Sequence, residues 1–202
     1  MTRAQPAEPL PVRREAAAIA DALRSGGALV LTAATGSGKT TQVPQIVLES
    51  GLSAGQEVVL EPRRLAARMT ARRVAQEMGC TLGEDVGYQT RFERVVGPRT
   101  RVRFVTEGVF LRQAQRDPSL AGIGCVLLDE FHERSVLADL ALGTVRAARE
   151  RRGSSTTTWP SESPDSRTIC GTCVVGPRTR VRFVTEGVFL RQAQRDPSLA
   201  GI

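Results

Sequence analysis

Ala28-Leu29-Val30-Leu31-Thr32-Ala33-Ala34-Thr35-Gly36-Ser37-Gly38-Lys39-Thr40 runs from a short apolar stretch through a glycine-rich turn into a segment of helical composition. A brief apolar run of this kind is what a strand buried on both faces needs. Successive backbone N–H groups at the following helix start form a cradle for phosphate, aided by the helix dipole. Lys39 is the one lysine of a chain whose other basic residues are all arginine. A compact ammonium reaches between phosphates where a planar guanidinium fits badly. The stretch therefore predicts a strand–loop–helix unit that binds a nucleotide. Thr35, Gly36, Ser37, Gly38, Lys39, Thr40 and Thr41 are its candidate contacts. In this reading Lys39 bridges the β- and γ-phosphates of ATP and the Thr40 hydroxyl ligates Mg2+.

Outward from this unit the chain alternates apolar runs with helical patterns. Residues 14–24 read as a helix before the loop strand, and 40–49 as the helix after it, with Pro44 tolerated in its first turn. A strand is predicted at 57–60, a long helix at 63–78, strands at 86–92 and 101–106, and a helix at 107–116. Residues 124–128 form the most apolar strand, followed by Asp129-Glu130-Phe131-His132 and a helix over 133–151. Such alternation predicts an α/β domain with a mostly parallel central sheet, a RecA-like layout. Ligands in these sheets bind beyond the C-terminal strand ends, where both the glycine loop and the acidic motif fall. A lone Asp-Glu pair is more often a helix cap, but its position here favours phosphoryl-transfer chemistry. Asp129 would hold Mg2+, Glu130 would share the metal site and polarise the attacking water, and His132 would link the nucleotide site to its surroundings.

Composition narrows the class. The chain has 202 residues, a formal charge of +7 and 41% hydrophobic residues, enough for one core and suited to polyanionic partners. No apolar run approaches a membrane span, and residues 1–13 read as a flexible N-terminus without a secretory h-region. The four cysteines form no disulfide framework, and the lone Cys170-x-x-Cys173 lacks a second pair for zinc. They read as reduced thiols of a cytoplasmic protein. Residues 153–173 are rich in Ser, Thr and Pro and read as a low-complexity linker. Val174 to Ile202 repeats Val95 to Ile123 without a difference. A structural repeat drifts at its surface, so this identity reads as a recent duplication or an assembly error. Two copies competing for one place in the sheet would favour strand-swapped self-association.

Four ordered segments then carry a specific resemblance. The glycine loop, Glu61-Pro62-Arg63-Arg64-Leu65-Ala66-Ala67, Val105-Thr106-Glu107-Gly108 and Asp129-Glu130-Phe131-His132-Glu133-Arg134 resemble the motifs of DEAH-type superfamily 2 helicases. Leu60 to Ala67 and Phe131 look most like the bacterial HrpB-type subgroup, and Gly87 to Glu93 is similar to a further segment of it. The resemblance covers residues 14–152, the N-terminal RecA-like, ATP-binding domain. It implies ATP hydrolysis coupled to translocation on RNA or DNA, with ATP and Mg2+ as cofactors. It places Arg63, Arg64, Thr106, Glu107 and Gly108 on the nucleic acid and Arg73 against the adenine ring. Phosphate contacts of this kind give salt-dependent, sequence-independent affinity. The family's second RecA-like domain, with its arginine fingers, has no counterpart here, so the expectation is a truncated chain inactive as a helicase alone. Two other readings share the glycine loop: another P-loop NTPase or kinase, and a non-catalytic nucleotide- and nucleic-acid-binding module.

Overall fold

The computed structural model describes residues 9–26, 28–31, 33–34, 36–53, 55–131, 135–151 and 172–175. Seven strands form one sheet, flanked on both faces by helices. In chain order these are α1 (Pro11–Arg14), α2 (Ala16–Gly26), β1 (Ala28–Leu31), α3 (Lys39–Glu49), β2 (Gln56–Glu61), α4 (Arg64–Glu77) and β3 (Val86–Gln89). There follow β4 (Arg94–Val95), β5 (Val102–Thr106), α5 (Glu107–Arg116), β6 (Ile123–Leu128), α6 (Val136–Arg151) and β7 (Thr172–Val175). The sheet order is β1-β7-β6-β2-β5-β3-β4. The pairs β6–β2, β2–β5 and β5–β3 are parallel, as the strand–helix alternation requires. The expected α/β, mostly parallel architecture is what the chain forms.

Each strand of the middle of the sheet buries both faces. Val59, Val102, Phe104, Cys125 and Leu127 join α3 and α4 in one core cluster. Val58, Leu60, Val105, Val126 and Leu128 join α5 and α6 in the other. Alternation along the strands therefore assigns each residue to a layer. Pro44 lies deeper in its helix than the sequence suggested, because α3 begins at Lys39. The ring removes the N–H that would bond the Thr40 carbonyl. The Gln45 side-chain amide donates to the next carbonyl, that of Thr41, at 3.0 Å.

Three boundaries differ from the sequence reading. Within the supposed flexible N-terminus, Pro11–Arg14 is helical and Val12 is in the core, 3% exposed. The Leu-Pro-Val stretch is too short for a periodic signal, and its burial comes from contacts with the glycine loop and α3. The predicted strand over 86–92 ends at Gln89, since Thr90 N–H bonds the Glu93 carbonyl in a turn. The end of the supposed linker, Thr172 and Cys173, enters the sheet as part of β7, antiparallel to both β1 and β6. Val174 and Val175 complete that strand, whereas their first-copy counterpart Val95 pairs with Tyr88 at the opposite edge. Val174 thus does not take the place in the sheet that Val95 holds. The remainder of the copy, residues 176–202, lies outside the described residues.

Candidate nucleotide and nucleic-acid site

Register places the site. Val30 and Leu128 both pair with Cys173, Leu128 pairs with Leu60, Leu60 with Val105, and Val105 with Gln89. The strand ends are therefore level, with β1 and β6 about 10 Å apart, two strand spacings. One residue further on, Asp129, Glu61 and Thr106 leave the sheet in a single row, and the glycine loop follows β1 on the same edge. The Asp129 N–H is held by the Leu60 carbonyl at 3.1 Å. The predicted phosphate loop, acidic motif and Thr-Glu-Gly segment are thus gathered on one edge although they are far apart in sequence.

Gly36 and Gly38 have φ of 81° and 92°, the left-handed region that glycine enters without steric cost. They turn the chain so that Lys39 opens α3. The Lys39 ammonium donates to the Ala33 carbonyl and, at 3.2 Å, to that of Ala34. It therefore holds its own loop closed, and bound phosphate would compete for those donor hydrogens. The Ser37 hydroxyl is buried with no hydrogen-bond partner, an orphan that a phosphate oxygen would satisfy. The loop is braced from α1, whose Val12 N–H bonds the Ser37 carbonyl at 3.2 Å. Thr35 and His132 lie outside the described residues.

The acidic side carries a residue that sequence reasoning did not include. Glu61, at the end of β2, is only 2% exposed. Burial, then the negative charges of Asp129 and Glu130, push its carboxyl up to about 8, against a hydrogen bond with Thr70. Glu130 is exposed with φ of 48°, a conformation that a residue with a Cβ adopts at some cost. Among the described residues no group of three or more His, Cys, Asp or Glu could hold a metal by itself. That suits Mg2+, which takes one or two carboxylates and fills its octahedron with phosphate oxygens and water. The orphaned Ser37 hydroxyl and the carboxylates beside Glu61 fit such a metal–nucleotide pair, for which Thr40, Asp129 and Glu130 are the candidate donors. Arg73 donates from Nε to Glu77 at 2.6 Å, and Glu77 also accepts from Gln42 and Gln45 of α3. It therefore helps lock α4 to the loop helix.

Further along the edge is a cavity of about 330 Å3, lined by Arg64, Arg91, Thr106, Glu107, Gly108 and Arg112 among others. Arg64 enters it, and Arg63 is not among its walls. Helix α4 has no acidic residue in its first turn and no side-chain cap at Arg63, so its N-terminal N–H groups and two guanidinium groups favour an external anion. Phe92 is 72% exposed, with Arg64 and Arg91 over its ring at 5.3 and 5.2 Å. Arg91 and Arg112 were not singled out in the sequence, because an arginine in a loop or on a helix face has no distinguishing pattern. Glu107 is largely buried and its carboxylate accepts from the Ser135 hydroxyl, although the residue also lines this cavity.

Comparison with known proteins agrees with this arrangement. A sequence model described as DEAD/DEAH box helicase matches residues 13–163. The ATP-dependent RNA helicase HrpB of Escherichia coli K12 is 48% identical over 134 residues, covering 66% of this chain and 16% of that protein. The ATP-dependent RNA helicase DHX33 of Drosophila melanogaster is 45% identical over 131 residues, covering 64% of this chain and 19% of that protein. The crystal structure of the Escherichia coli DEAH/RHA helicase HrpB superposes with a TM-score of 0.67 at 46% identity, over 70% of this chain and 18% of that one. The chain thus spans less than a fifth of these relatives. Motif order, sheet position and overall likeness converge: the chain belongs to the DEAD/DEAH box helicase family.

Proposed function

We propose that this chain is the nucleotide-binding part of an ATP-dependent RNA helicase, taking ATP with Mg2+ on the glycine loop and RNA along the arginine-lined edge. The observation that carries it is the level row of strand ends, which sets Lys39, Asp129, Glu61 and Thr106 along one edge. In this reading Gly36 to Thr40 bind the phosphates, Lys39 leaves the Ala33 and Ala34 carbonyls for the β- and γ-phosphates, and Arg73 flanks the base. Glu130 orients the attacking water and accepts its proton, and the role given to His132 is to link that site to its surroundings. Bound Mg2+ neutralises phosphate charge as it develops. Arg63, Arg64, Thr106 and Gly108 receive the strand, while Glu107 holds their segment in place.

RNA is the proposed strand because the relatives compared here are named RNA helicases. Transition-state charge in this chemistry commonly needs an arginine finger, worth about 10³–10⁵ in rate. We therefore expect the 202-residue chain alone to bind ATP·Mg2+ weakly and to show no RNA-stimulated turnover. Exchange of residues 174–202 between copies would require Val174 and Val175 to leave β7, and we propose that they stay within their own chain. No helix among the described residues is long and apolar enough to cross a membrane. Binding of a fluorescent ATP analogue and of labelled single-stranded RNA tests the reading. Lys39→Ala is expected to abolish the first and Arg64→Ala to weaken the second alone. A kinase would show Arg64→Ala without effect on RNA, and that result would overturn the reading.

A further inference from the structure

Arg103 occupies a position that the strand pattern reserves for an aliphatic side chain. It lies in the middle of β5, on the same face as Val105, and is 8% exposed. Its Nη1 donates to the Gln89 amide oxygen at 3.1 Å and its Nη2 to that of Gln113 at 2.6 Å, while its Nε is buried without a partner. Among the described residues no carboxylate pairs with it. Burial, and the like charge of Arg94, push its guanidinium pKa down. A buried cation held only by neutral amides is costly unless something else supplies the counter-charge.

The surroundings supply more positive charge instead. Arg103 lines a cavity of about 440 Å3 together with Arg91, Arg94, Arg112, Arg116 and Asp117. Asp117 is the sole acid there, and its carboxylate serves its own turn. Oδ1 accepts from the backbone N–H and the hydroxyl of Ser119, and Oδ2 accepts from the Ala121 N–H at 2.6 Å. Five guanidinium groups therefore line one space against a single carboxylate, that of Asp117. Arg91, Val109 and Arg112 also line the cavity that holds Arg64 and Thr106. The two spaces therefore share walls at the start of α5.

We propose that this second cavity is a phosphate-binding subsite, anchored by Arg103 and gated by Arg94 and Arg116. It would receive the phosphate groups of a strand leaving the first cavity, or of a free polyphosphate. The strand source rests on the RNA reading above, whereas the anion site does not. Guanidinium forks suit phosphate oxygens bidentately, and a bound phosphate would give Arg103 the counter-charge it lacks.

The test uses the full chain with Arg103→Met and Arg116→Ala, neither of which touches the first cavity. Arg103→Met also controls for folding, since exchanging a buried unpaired cation for an apolar chain of similar volume should leave Tm equal or higher. RNA of about four and about twelve nucleotides is compared by anisotropy across a salt series. Inorganic pyrophosphate binding is measured by calorimetry. The expected result is roughly tenfold weaker binding of the longer RNA for each variant, with the shorter RNA unchanged. The slope of log affinity against log salt should also be shallower by about 0.7 per phosphate lost. Loss of pyrophosphate binding with unchanged RNA binding would assign the site to a free anion. If neither ligand responds while Arg64→Ala still weakens RNA, the subsite is overturned and the functional reading stands. If Arg64→Ala is silent and Arg103→Met abolishes pyrophosphate binding, the functional reading fails and the subsite stands.

Discussion

The Glu107 carboxylate accepts from the Ser135 hydroxyl, at 2.9 and 2.8 Å from its two oxygens, and the same hydroxyl accepts from the Ala138 N–H at 2.9 Å. Ser135 thus caps the start of α6 while tying it to the wall of the cavity that holds Arg64 and Thr106. Glu107 opens α5 directly after β5, and Ser135 comes shortly after the acidic motif that follows β6. This bond joins the proposed nucleic-acid wall to the segment that follows Asp129 and Glu130. Ser135→Ala removes the cap and leaves a buried carboxylate without that donor. A loss of about 1–3 kcal/mol is expected in urea unfolding. Ser135→Thr should recover most of it, and equal stability of Ala and Thr variants would refute the role.

Glu57 gives the stability a pH dependence. It is fully buried in β2, neither carboxylate oxygen has a hydrogen-bond partner, and burial pushes its pKa up to about 8, opposed by Arg101. The folded state therefore binds a proton that the unfolded state releases near 4.5. The associated stability is complete below that value and is lost as pH rises toward 8, with a ceiling of about 5 kcal/mol. Glu61 acts in the same direction. Glu57→Gln does not titrate, so its advantage over the parent should widen from about pH 5 to pH 8. A gap that stays constant across that range would show that Glu57 is not protonated in the folded chain.

Gly38 is needed for two separable reasons. Its φ is 92°, and an added Cβ would stand 2.8 Å from Leu10 Cδ1 and 3.2 Å from Gln42 Cγ. Gly38→Ala should destabilise the chain by about 1–3 kcal/mol and weaken ATP binding. Adding Leu10→Ala removes the 2.8 Å contact but leaves Leu10 Cβ and Gln42 Cγ at 3.2 Å and the backbone strain in place, so thermal melts should show partial recovery. Full recovery would mean that the left-handed backbone costs nothing.

At Glu130 the ordinary preference for alanine over glycine should invert. With φ of 48°, Glu130→Gly is expected to be more stable than Glu130→Ala by about 1 kcal/mol, and neither should support hydrolysis. Paired thermal melts decide it. A more stable alanine variant would remove strain from the account of this position.

Much of the fold was legible because its signals are local. Helix α5 follows from a short amphipathic stretch with a proline behind it, and β6 from six consecutive apolar or small residues. The loop residues Gly36 to Thr40 announce themselves through glycine spacing and the lone lysine. Residues such as Glu61, Arg91 and Arg103 gave no such sign. Glu61 stood within a motif read for its arginines, and its burial against Asp129 depends on strand register. Arg103 is one arginine among many in a predicted strand, and its cavity exists only once α5 packs over β5.

By itself the sequence determined a nucleotide-binding α/β domain of helicase type, since periodicity, glycine turns and motif order are properties of neighbouring residues. Only the tertiary structure decided that Asp129, Glu61 and Thr106 share one edge, that Glu107 turns inward to Ser135, and that β7 separates β1 from β6. Those outcomes depend on which strands pair and in what register. Pairing is settled by the burial of surfaces distant in the chain, which no local pattern records.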